Sequence, residues 1–157
     1  MKYKRVFNIL LPVIILSFLF SCVSTSEKKI DSAYVMVYDY DNSEVMNAYV
    51  FIDGKEIGST DIYGRFMFPC EKEKEVLISV KKERYETIET KTVIKAGMVI
   101  YFKIGSGSYY ADRAEKFLDE DDIDNALVMI NKAIEIDNRK DWCYLQEIIL
   151  MESKKYE

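Results

Sequence analysis

The chain contains no histidine. That absence removes the commonest general base, the usual catalytic triads and most zinc sites in one step. Carboxylate or lysine catalysis survives the exclusion, but it needs a constellation of its own. Cysteine is scarce as well, with three residues, Cys22, Cys70 and Cys143, and without a histidine partner none reads as an activated nucleophile. An excess of positive charge is missing too, since 22 Lys and Arg stand against 27 Asp and Glu. Such a surface repels phosphate backbones, so no nucleic-acid partner is expected. Long apolar runs are also absent. The longest, Val6 to Phe20, is interrupted at Asn8, Pro12 and Ser17. Fifteen residues at ~1.5 Å rise fall short of a ~30 Å hydrocarbon core.

What is present fits a globular protein. Its 157 residues suffice for one ordinary domain or two small ones, and 49% hydrophobic content argues against wholesale disorder. Residues 1–5, MKYKR, form a basic head before the short apolar run, which is the pattern of a secretory signal. Leu19-Phe20-Ser21-Cys22 follows, and it resembles the lipobox of bacterial lipoproteins. The resemblance implies removal of residues 1–21 and acylation of Cys22, leaving 19 basic against 27 acidic residues. Several acyl chains at ~0.8 kcal/mol per buried methylene would hold a soluble domain on a bilayer. Residues 22–31 then read as a polar tether. Val23 offers no aspartate retention signal, so the expected location is the cell envelope, with the outer membrane favoured over the inner.

From residue 32 to 104 the apolar residues alternate with period two. AYVMVYDY, NAYVFID, YGRFMF, EVLISVKK, TIETKTVI and MVIYFKI each read as a strand. Turn chemistry separates them at DNSE, DGKEIG and KAG. About seven short strands with close turns predict a small antiparallel β-sandwich. Gly105-Ser106-Gly107-Ser108 reads as a hinge, and the period changes beyond it. Within residues 109–157, Ile123, Ala126, Leu127, Ile130, Ala133 and Ile134 fall on one helical face. The run DEDD supplies the cap before that helix. A third segment from Asp141 carries Trp142, Leu145, Ile148 and Ile149 in the same rhythm. The expected class is α+β, a sandwich followed by two to three amphipathic helices.

The stretches NAYVFIDG, GSTDIYGRF and ERYETIE resemble the carboxypeptidase regulatory-like family, small sandwiches related in shape to transthyretin. Arg84 stands where that family has its last glycine. PEGA-type surface modules are similar across YVFIDGKEIGST. The helical part is similar to a tetratricopeptide repeat, with Tyr110, Ala114, Phe117, Ile123, Ala126, Ile130 and Ala133 at its packing positions. Only about one and a half units are present. The other reading is a set of amphipathic helices folded against the sandwich.

Candidate sites reduce to few. GSTDIYGRF, with its hydroxyls, carboxylate and arginine, reads as a tight turn built on Asp61 and Gly64, with Phe66 starting the next buried strand. Calcium ligation at Asp119 or Asp39 fails at the twelfth loop position, where Ile130 and Val50 replace the required glutamate. Carboxylate pairs are abundant, but a glycosidase needs a deep cleft that so small a sandwich rarely offers. Export permits a Cys70–Cys143 disulfide, although free thiols are the simpler expectation. The chain is therefore expected to be no enzyme, with no cofactor or metal. Its expected role is a protein-binding or scaffolding lipoprotein, engaging an envelope partner or itself through a tail face of Trp142, Leu145 and Ile149. Rival readings are a carbohydrate-binding or adhesive module using a tyrosine-bearing sheet face, or an accessory subunit of an envelope peptidase.

Overall fold

The computed structural model describes residues 31–154, which form seven strands and three helices. The signal segment, Cys22 and all of the tether except Asp31 lie outside the described residues. The strands are β1 (Ser32–Tyr38), β2 (Tyr49–Ile52), β3 (Lys55–Ser59), β4 (Arg65–Pro69), β5 (Lys74–Lys81), β6 (Ile88–Ile94) and β7 (Val99–Lys103). They build two sheets, one ordered β4-β1-β7 and the other β3-β2-β5-β6. The expected sandwich followed by helices is what the chain forms.

Two features differ from the expectation. DGKEIG is not a turn throughout, because Asp53 and Gly54 alone make the reversal, at φ 50° and 79°. A two-residue hairpin loop of type I′ needs positive φ at both positions, and Asp-Gly supplies it cheaply. Lys55–Ser59 is then free to pair antiparallel with β2 as β3. Nor is the sandwich wholly antiparallel, since β1 and β7 run parallel, with Val35 opposite Ile100. The chain passes repeatedly between the sheets, so its first and last strands meet without a hairpin to enforce opposite directions.

Alternation drives the packing. Ala33, Val35 and Val37 of β1 point inward against Val50, Ile78, Val80 and Phe102, and all are buried. The helices are α1 (Gly107–Asp119), α2 (Ile123–Ile136) and α3 (Lys140–Ser153). Ser106 caps α1 by accepting from the Tyr109 N–H at 3.0 Å, and Asp122 caps α2 by accepting from the Asn125 N–H. The helices surround a second core of their own, in which Ala114, Ala126 and Ala133 let the backbones approach and Ile130 fills between them. They are not spread over the sandwich. Among the described residues no helix is long and apolar enough to cross a membrane.

Candidate functional site

The polar cluster at GSTDIYGRF is a corner. The Asp61 carboxylate accepts from the backbone N–H groups of Tyr63 and Arg65, both at 2.9 Å, and the Asp61 N–H donates to the Arg65 carbonyl. The Arg65 N–H holds the Asp61 carboxyl below its usual range, with the Tyr63 N–H and the Arg65 guanidinium adding to the effect. Gly64 sits at φ 68°, where an added Cβ would lie 2.4 Å from the Val37 carbonyl oxygen. Phe66 packs half-buried against the sandwich core and stacks on Phe68. Thr60 has the role least visible in sequence. Its buried hydroxyl accepts from the Ala48 N–H at 2.9 Å and donates to the Val45 carbonyl at 2.6 Å, closing the loop that leads into β2. The Thr60 hydroxyl and the Asp61 carboxylate are thus engaged with backbone, and the Arg65 guanidinium lies 3.4 Å from Asp61 Oδ2 and over the Tyr63 ring.

An open groove of about 660 Å³ separates β3 and β4, each the edge strand of its own sheet. Ile52, Ile57, Phe66 and Phe68 line it, while Lys55 and Lys74 stand at its rim. Its one carboxylate, Asp53, accepts from Lys74 Nζ at 2.8 Å and from the Leu77 N–H at 3.0 Å. Those bonds, the lysine's first, depress the carboxyl, the opposite of what a general acid requires. Cys70 is buried and Cys143 half-buried, and both are free thiols. Among the described residues no three Cys, Asp or Glu side chains gather as a metal-holding group.

A denser polar site lies where the sandwich meets the helices. Glu86, from the loop between β5 and β6, accepts from the Gly105 N–H at 2.7 Å and the Tyr110 hydroxyl at 2.8 Å through Oε1. Its Oε2 meets Lys132 Nζ of α2 at 2.7 Å. Burial alone would push the Glu86 carboxyl up, but the bonds from Lys132, Gly105 and Tyr110 overcome it and hold the group below its ordinary range. The Tyr110 hydroxyl is pushed the other way, first by burial and then by its bond to Glu86. Beside this network the Glu86 N–H donates to the Gly105 carbonyl, and the Gly107 N–H donates to the Arg84 carbonyl. Arg84 takes φ 64°, the left-handed conformation a glycine would supply, and its guanidinium reaches Asp137 at 3.6 Å. The Gly/Ser segment 105–108 is consequently strapped on both sides. A Cβ at Gly107 would fall 2.6 Å from the Trp142 ring, so the start of α1 needs a residue without one.

The tail face singled out from sequence turns inward. Trp142 is 6% exposed, Ile149 is fully buried, and Leu145 packs half-buried on the helical core. These residues hold α3 against α1 and α2, and the Gln146–Asn131 side-chain bond at 2.6 Å reinforces the seam. Their apolar character is used up inside the bundle. The stripe left outside is Tyr144, Ile148 and Met151, at 64%, 46% and 57% exposure. Spacings of four and three place them on one side of the helix. Hydrophobic rhythm alone could not separate the two faces of so apolar a helix. Cys22 lies outside the described residues.

No protein-family model matches the chain. Over 134 residues, 83% of the chain, it is 28% identical to the type VII secretion system protein EssB of Staphylococcus aureus (strain MRSA252). It spans 30% of that protein's length. Among solved structures, the Bacillus anthracis TIE protein aligns with 48% of this chain and 16% of its own, at 13% identity and a TM-score of 0.41. BcpA, the major pilin subunit of Bacillus cereus, aligns with 47% of this chain and 27% of its own, at 14% identity and a TM-score of 0.37.

Proposed function

We propose that the chain is a non-catalytic envelope lipoprotein whose helical tail binds a protein partner at a membrane surface. The observation that carries the reading is the exposed stripe of Tyr144, Ile148 and Met151 along α3. Apolar side chains at this spacing suit a partner's amphipathic helix, which would lay its own apolar positions along them. The similarity to EssB, a type VII secretion system protein, supports a place within an envelope assembly. The engagement of Thr60 and Asp61 with backbone, and of Arg65 with Asp61, supports a non-catalytic role.

Tyr144→Ser combined with Ile148→Asp should leave the fold intact, because both residues are exposed. A photo-crosslinking side chain placed at Met151 in intact cells should give one discrete protein adduct. The double substitution should abolish that adduct while thermal unfolding stays unchanged. An adduct indifferent to the substitutions, or none at all, defeats the proposal.

A further inference from the structure

The two sheets present unlike faces to solvent. On the four-stranded sheet, outward apolar residues such as Phe51, Leu77 and Val93 are interleaved with charge. Phe51 pairs with Glu56, Leu77 with Lys91 and Val93 with Glu75, and Lys91 bridges Glu75 at 2.9 Å. This is an ordinary solvated face. The outer face of β4-β1-β7 is different. Beyond the Ser32–Pro69 pair, the first row that spans all three strands is Met67–Tyr34–Val99, all exposed, and the next is Arg65–Met36–Tyr101. Tyr38 beside Lys103 ends it. Two cations and no carboxylate occupy these positions. Asp61 reaches Arg65 at 3.4 Å only from the bordering turn, and Lys103 meets the neutral side chain of Asn42.

We propose that this face rests on an anionic lipid bilayer. Tyrosine suits the headgroup boundary because its ring is apolar and its hydroxyl is wet, and Met67, at 58% exposure, adds a flexible apolar contact. Arg65 and Lys103 supply charge complementary to lipid phosphates, on a chain that is otherwise acidic. Size favours the same occupant. Three strands and four outward rows cover roughly 400 Å², well under the ~800 Å² per partner of a standard protein interface. A weak surface contact suffices where a tether supplies the local concentration. Cys22 precedes Ser32, the first residue of β1, by ten positions, so a lipid there would keep this edge within about 35 Å of the bilayer. That proximity rests on the lipid-anchor reading, whereas the affinity of the face does not.

The test therefore uses a form beginning at Val23, which carries no acyl chain yet retains residues 31–154 with every described strand, helix and core residue. It should co-float with vesicles of phosphatidylglycerol and phosphatidylcholine, and about tenfold less with phosphatidylcholine alone. Arg65→Gln with Lys103→Gln should bring binding on the anionic vesicles down to that lower level. Met67→Glu with Tyr101→Glu should lose about tenfold or more, while Leu77→Glu on the opposite sheet should bind as the parent does. Circular dichroism and thermal unfolding identify any variant that has failed to fold, and in that case the exposed-site change Tyr101→Ser carries the comparison. Absence of parent binding to anionic vesicles, or equal binding by all folded variants, overturns the proposal. Vesicle binding blocked by a neutral oligosaccharide would also overturn it, reassigning the face to carbohydrate. The acyl mass on Cys22 of the cell-derived chain is measured separately, so failure of the anchor and failure of the face are distinguishable.

Discussion

Thr60 and Gly64 show how one short stretch divides its work. The Thr60 hydroxyl satisfies a donor at Ala48 and an acceptor at Val45, both inside the protein. Thr60→Val keeps the shape and orphans both groups, so it should cost about 2 kcal/mol in urea or thermal unfolding. Gly64→Val places a β-branched residue at φ 68° and drives its Cβ into the Val37 carbonyl. A loss of about 3 kcal/mol or more is expected, and if the variant still folds, its near-native spectrum should accompany a lowered midpoint. The turn itself was legible in sequence, because Asp61 and its N–H partners are at most four residues apart. The tie made by Thr60 was not. Its partners lie twelve and fifteen residues away, and only the return of β2 brings them close.

Elements follow local pattern until neighbours must be chosen. The alternation in NAYVFID and EVLISVKK marks β2 and β5, yet polar Lys55–Ser59 becomes a strand because β2 offers it an edge. On α3 the sequence shows apolar residues on more than one side, and packing decides that Trp142 and Ile149 go in while Tyr144 and Ile148 stay out. The junction is subtler still, since Glu86 looks like one acid among many. Its folded-state pKa lies below the ordinary value, so its contribution is complete above about pH 5 and fades as pH falls through the lowered folded value. Glu86→Gln should cost about 2 kcal/mol at neutral pH. The difference in stability between the two proteins should be flat above that window and shrink below it, a trend that thermal unfolding across a pH series would check. A constant gap down to strong acid would count against the assignment.

For the whole molecule, address and architecture come from different sources. The lipobox resemblance at residues 19–22 leads to a direct expectation: a fatty-acid probe should label the parent chain in cells and leave Cys22→Ala unlabelled. Attached there, the chain would present the apolar, cationic face of its three-stranded sheet at the tether side, with α3 available to a partner. The sequence by itself determined the α+β class, the strand and helix periods, the turn at Asp61 and Gly64, and the absence of histidine chemistry. Each of these is a matter of residue type and spacing within a few positions. Only the tertiary structure decided the parallel pairing of β1 with β7, the strapping of residues 105–108 by Glu86 and Arg84, and which face of α3 meets solvent. Those outcomes depend on contacts between residues far apart in the chain. The outer face of β4-β1-β7 belongs with them, because Met67, Tyr34 and Val99 become neighbours only when three distant segments pair.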